Sequence, residues 1–133
     1  MWCVRSTWRL SMRRWHKVAS AVLAGGVIVL ASGATPEDRG KELFGRRCSG
    51  CHALDLNKEG PRLRGVYGQR AAAVPDFGYS DALKKAGIRW DDATLDRWLS
   101  DPEAMVPDSD MAFHLDDGQE RKAVIAYLKS VAK

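Results

Sequence analysis

Cys48-Ser49-Gly50-Cys51-His52 decides the reading of this 133-residue chain. The spacing C-x-x-C-H is the attachment signature of c-type haem. Two thiols three positions apart can each add to one vinyl group of the macrocycle. The adjacent His52 is then held under the iron as a proximal ligand. A covalent haem brings its own chemistry, so what remains for the protein is binding, orientation and electrostatics. The rival readings are a zinc half-site and a redox dithiol. A structural zinc site takes four ligands, usually with a second Cys or His pair. Downstream of the motif only His114 remains.

Upstream of the motif, residues 1–17 carry Arg5, Arg9, Arg13, Arg14 and Lys17 and no acid. Val18 to Leu30 is uncharged and mostly apolar, and Ala31-Ser32-Gly33-Ala34 follows. A basic region, an apolar region and a small-residue site, in that order, form a secretory signal peptide. The expected organisation is a signal peptide over 1–34 and one domain over 35–133. Met12 opens a more compact version of the same signal. The competing reading is an uncleaved anchor, but the uncharged stretch is at the short edge of the roughly 20 apolar residues a span needs. Export places the domain in the bacterial periplasm, with no stable membrane insertion after cleavage.

The cut changes the electrostatics. The whole chain has 21 Lys and Arg against 17 Asp and Glu, a net of +4. All five leader charges are basic, so the domain keeps 16 bases against 17 acids, a net of −1. The basic balance belongs to the leader and gives no reason to expect nucleic acid. Cys3 leaves with the leader, so Cys48 and Cys51 are the only thiols of the domain. An exporting compartment could pair them, but haem attachment uses both. About a hundred residues can close one core around an apolar macrocycle that takes the place of missing side chains.

Along the domain the signals are helical. Thr35-Pro36-Glu37-Asp38 reads as a helix start, with Thr35 capping, Pro36 in the first turn and acids at the positive dipole end. That helix is expected to run to about Arg47. Asn57 to Gly78 has little periodicity and many turn formers, so it reads as ordered loop wrapped on something. Ser80 to Ala86 is a short helix ending at Gly87. Asp91 to Ser100 is another, which Asp101-Pro102 stops. Met105 to Leu115 reads as loop. Asp117 to Ala132 is the clearest helix, with Val124, Tyr127, Leu128 and Val131 on one stripe. With no strand-like alternation, the class is all-α.

Taken in order, these segments resemble class I cytochrome c, in the mitochondrial cytochrome c and bacterial cytochrome c2 branch. The resemblance covers about Gly40 to Lys129. It rests on Gly40-Lys41-Glu42-Leu43-Phe44, the haem motif, Gly60-Pro61-Arg62-Leu63 and Phe77-Gly78-Tyr79-Ser80-Asp81-Ala82. Gly87-Ile88-Arg89-Trp90, Val106-Pro107 with Met111-Ala112-Phe113, and Ile125-Ala126-Tyr127-Leu128-Lys129 complete it. The fold it implies is a small all-α cytochrome c fold, helices and ordered loops wrapped around one haem c bound through Cys48 and Cys51.

The resemblance also implies roles. Met111 matches the distal axial ligand, opposite His52. Pro61 matches the proline whose preceding loop supports the proximal histidine through a backbone carbonyl. Tyr79 and Trp90 match the residues that hydrogen-bond a buried propionate. Gly40 and Phe44 match the contact of the first helix with the last. Met105 and His114 are rivals to Met111 in the same loop, and an empty distal site is a third alternative. Trp98 stands where the family usually has tyrosine, and Gln69 beside Arg70 where it usually has arginine.

The family often rings the haem edge with lysines. Here Asp101 to Glu120 holds seven acids and no Lys or Arg. The encounter field of a small carrier sets rate and orientation. The expectation is a partner surface less acidic than usual, or one met through Arg46 and Arg47. The function implied is one-electron shuttling between membrane or periplasmic redox partners, a donor and an acceptor, by a monomer that is not itself an enzyme. The alternatives are a haem subunit dedicated to one periplasmic oxidoreductase, and a ligand-binding or peroxidase-like haem protein with an open distal position.

Overall fold

The computed structural model describes residues 33–133. The expected leader lies outside the described residues except for its last two. Five α-helices follow one another: α1 Pro36–Leu43, α2 Asp81–Lys85, α3 Asp92–Ser100, α4 Pro102–Met105 and α5 Gly118–Ser130. Among the described residues there is no strand, only one isolated antiparallel bridge between Arg70 and Arg89. No helix of the described residues is long and apolar enough to cross a membrane.

Side-chain caps fix the helix starts. Thr35 and Asp38 form a reciprocal capping box at α1, with Pro36 in its first turn. Ser80 accepts from Leu83 N–H at α2, and Asp91 with Thr94 makes a second capping box at α3. Asp117 accepts from the backbone of Gln119 and Glu120 at α5. Each supplies an acceptor to N–H groups that the first turn leaves unpaired. Gly87, at a φ of +65°, takes the left-handed conformation that closes the α2 segment.

The core is made by α1 crossing α5, with α3 also packed against α5. Leu43, Phe44, Leu95, Leu99, Val124 and Leu128 are among its buried residues. Gly40 is the contact point. A β-carbon there would lie 2.7 Å from the Ala123 carbonyl carbon and 2.8 Å from Tyr127 Cβ. No side chain fits that gap, so the two backbones meet directly. One turn on, the Phe44 and Tyr127 rings pack edge to face at 5.5 Å. The expected contact of Gly40 and Phe44 with Val124 and Tyr127 is therefore where the first and last helices meet.

Two expectations about helix extent need correcting. α1 does not run as α-helix to Arg47. It widens after Leu43 into a π turn, Phe44–Cys48, closed by Ser49 N–H donating to Phe44 O at 3.0 Å. The extra residue in the turn keeps Phe44 in the core while bringing Cys48 round to the cavity described below. Asp101-Pro102 does not simply stop α3. Asp101 ends α3 and caps α4 through Ala104 N–H, 2.9 Å away, with Pro102 in the first turn. Met105 thus belongs to a helix, and the loop begins at Val106.

Candidate cofactor site

The π turn runs straight into the motif. Cys51 N–H and His52 N–H both donate to Cys48 O, at 3.1 and 2.8 Å. This tight turn aims Cys48, Cys51 and His52 at one cavity of about 910 Å³. Cofactor clefts are typically roughly 300–1,000 Å³ and mostly apolar. Burial pushes the Cys48 thiol up to about 11. Among the described residues no group of three or more His, Cys, Asp or Glu is arranged to hold a metal ion.

His52 is half-buried, and its Nδ1 lies 2.8 Å from Pro61 O. A carbonyl can only accept, so Nδ1 carries the hydrogen and the lone pair of Nε2 is left for a metal. Burial lowers the His52 pKa; the Pro61 carbonyl opposes this, and the nearby Lys58 charge adds to it. Neutral imidazole, the ligating form, is favoured. The support comes from Pro61 itself rather than from the loop before it.

The loop after the motif is tied back onto it. Gly60 N–H donates to Cys51 O at 2.8 Å, and Leu63 and Arg64 N–H to Ala53 and Leu54 O at 2.9 Å. Arg62 pairs with Asp76 and Arg64 with Asp55. Further along, Gly68 N–H donates to Trp90 O at 2.7 Å and Trp90 N–H to Gln69 O at 2.8 Å. These bonds build a cavity wall from a stretch without regular structure. The expectation of an ordered loop wrapped on something fits that wall.

Tyr79 and Trp90 both line the cavity. Trp90 is buried and lies 5.4 Å from the Trp98 ring, centroid to centroid. Tyr79 packs edge-on against Phe77 at 4.8 Å, and burial raises the pKa of its hydroxyl. A phenol and an indole on one apolar wall can serve as donors to a desolvated acid.

Opposite the motif segment in sequence, the cavity takes Met111 from the segment between α4 and α5. That segment is held at both ends: Ser109 N–H donates to Val106 O at 3.2 Å, and Leu115 N–H to Leu99 O at 2.7 Å. The rivals face elsewhere. His114 is exposed and pairs with Asp116 at 3.6 Å, and it is absent from the cavity lining. Met105 lines a separate, shallower cleft with Lys85 and Arg97.

Sequence reasoning missed Ser109. Its hydroxyl is shut off from solvent and has no hydrogen-bond partner in the protein. Nothing in its sequence context marks it, because burial of a loop serine is a tertiary fact. Apolar walls, two cysteines and an oriented imidazole together fit a haem. Gly60 fits it too, since a β-carbon there would run into the His52 ring.

Comparison with known proteins gives the same answer. The family described as Cytochrome c matches residues 37–132. A cytochrome c of Gibberella zeae is 39% identical over 99 residues, covering 71% of this chain and 93% of that protein. A cytochrome c2 of Rhodomicrobium vannielii is 35% identical over 119 residues, covering 84% and 94%. Among solved structures, cytochrome cH from Methylobacterium extorquens superposes with a TM-score of 0.68 at 40% identity, covering 71% of this chain and 97% of that one.

Proposed function

This chain belongs to the cytochrome c family, and from that premise we propose a monomeric periplasmic electron carrier in which His52 and Met111 are the axial ligands of the haem. The cofactor is haem c, held through Cys48 and Cys51, and the family's role is one-electron transfer between redox partners. When bound, the haem supplies a single iron-centred electron exchange.

The chain's own residues set the terms of that exchange. His52 offers Nε2 while Pro61 fixes its ring. The Met111 thioether is soft and favours reduced iron, so a His/Met pair gives a higher potential than a His/His pair. Tyr79 and Trp90 are the proposed donors to a propionate. Domain 35–133 carries all of these groups, and residues 1–34 serve as its export signal.

What supports the axial pair is one observation: His52 and Met111 line the same cavity, while Met105 and His114 do not. The absorption spectrum of the exported protein tests it. A low-spin c-type spectrum with the weak sulfur-to-iron band in the oxidised form is expected. A c-type spectrum without that band, or rapid carbon monoxide binding by the reduced protein, would overturn the Met111 assignment.

A further inference from the structure

Phe113 stands at the mouth of the haem cavity with 41% of its surface exposed. Its own segment, Asp101 to Glu120, carries seven acids and no Lys or Arg. Asp108 and Asp110 are exposed, and among the described residues neither enters an ion pair. Glu103 folds back onto the same turn, its Oε1 accepting from Asp108 N–H at 3.2 Å. Asp116 lies 3.6 Å from His114, a charge present only when the imidazole is protonated, and its backbone carbonyl accepts from Arg121 at 2.8 Å, a guanidinium already paired with Asp96.

The bases near that mouth are already neutralised within the chain. Arg47 pairs with Glu120 at 3.5 Å, Arg62 with Asp76 at 2.7 Å and Arg64 with Asp55 at 2.6 Å. Arg46 pairs with Glu42 at 3.5 Å. Arg70 is the exception, an exposed cavity-lining base with no ion pair among the described residues. It belongs to the wall whose backbone bridges to Arg89 rather than to the Phe113 segment.

Like charges held together repel, and an exposed phenyl ring is poorly solvated. Both costs fall when a basic surface with an apolar centre covers the patch. We infer that the Phe113 face, on the segment that also carries Glu103, Asp108, Asp110 and Asp116, is the docking surface for a protein redox partner that presents Lys and Arg around an apolar spot. The inference rests on the electron-carrier reading and adds the sign of the partner's charge. The Arg46 and Arg47 side is the weaker candidate, since both guanidiniums already have carboxylate partners.

The test uses the 15N-labelled holoprotein, titrated with a lysine-rich peptide and separately with a glutamate-rich one. Amide shifts confined to the Glu103–Asp116 stretch are expected with the basic peptide and not with the acidic one, fading as salt screens the contact. The double variant Asp108→Asn with Asp110→Asn should weaken the basic peptide by about threefold or more. Glu37→Gln, in the first turn of α1, should leave it unchanged. Shifts with the acidic peptide, or shifts elsewhere with the basic one, overturn the docking surface.

Electron transfer supplies the second readout. The reduced holoprotein is mixed with a cationic oxidant, tris(phenanthroline)cobalt(III), or an anionic one, ferricyanide. With rising ionic strength the cationic rate should fall and the anionic rate should rise. The opposite slopes sink the inference while leaving the carrier reading intact. No electron exchange with either complex sinks the carrier reading itself, whatever the peptides do.

Discussion

Gly60 lies against the His52 ring so closely that a β-carbon on it would sit 2.6 Å from Nδ1 and 2.7 Å from Nε2. The same ring is tethered by the carbonyl of the next residue, Pro61. Gly60→Ala should therefore tilt the imidazole and break the Nδ1–H bond to Pro61 O. An imidazole without that acceptor donates less charge to iron, so the reduction potential should rise. Strain at the site should cost roughly 1–3 kcal/mol of stability. A redox titration and a denaturant melt measure both, and an unchanged potential with unchanged stability would refute the account.

Met111 and His114 are separated by two residues but by very different surroundings, one on the cavity wall and one in solvent. Met111→Ala should abolish the sulfur-to-iron band, lower the potential and let the reduced protein bind carbon monoxide. His114→Ala should leave all three as they were. If His114→Ala is the variant that changes the spectrum, the axial pair is misassigned.

Ser109 makes a prediction whose sign is informative. A buried hydroxyl with no partner costs stability, so deleting it should help. Ser109 is not among the residues that line the cavity, so no group there takes its hydroxyl. We expect Ser109→Ala to stabilise the protein by about 1 kcal/mol. A thermal melt showing lower stability would mean that the hydroxyl has a partner.

Tyr67, Asp92 and Lys129 predict an acid limb. Tyr67 donates to Asp92 Oδ2 at 2.5 Å, and Lys129 lies 3.1 Å from the same oxygen. Both hold the Asp92 carboxyl below its ordinary value. The stabilisation is complete above the unfolded carboxylate pKa of about 4 and is lost as pH falls through the lower folded value. The pair with Lys129 is mostly exposed, so solvent screening keeps the contribution below about 1 kcal/mol. Tyr67→Phe should lower stability at neutral pH by no more than about 1 kcal/mol and flatten its fall below about pH 4, so that the two proteins converge in acid. Identical stability-against-pH curves for both proteins would remove Asp92 from the explanation.

Much of the fold was legible because its signals are local. Thr35, Ser80, Asp91 and Asp117 cap where their side chains allow, and the Val124, Tyr127, Leu128 stripe faces the core. The motif carries its own spacing, so Cys48, Cys51 and His52 could be named at once. The π turn left no mark, since Phe44 to Cys48 has no composition that distinguishes an i→i+5 hydrogen bond from an i→i+4 one. The helix Pro102–Met105 was hidden because Asp101-Pro102 ends one helix and starts another with the same residues. The ion pairs Arg62–Asp76 and Arg64–Asp55 join residues 14 and 9 apart in an aperiodic loop. No periodic signal reaches across such a loop, and the burial of Ser109 was invisible for the same reason.

The π turn between Leu43 and the motif separates two demands that one continuous helix could not meet. Gly40 and Phe44 must keep step with α5, whereas Cys48 must meet the cofactor. Widening the turn gives each demand its own phase. Gly45, Arg46 and Arg47 are all exposed and add nothing to the buried core, yet their number sets that phase. Removing one residue would rotate the thiol by about a quarter turn or more relative to the helix crossing. The spacer acts as a gauge block, whose length sets the angle between the helix crossing and the thiol.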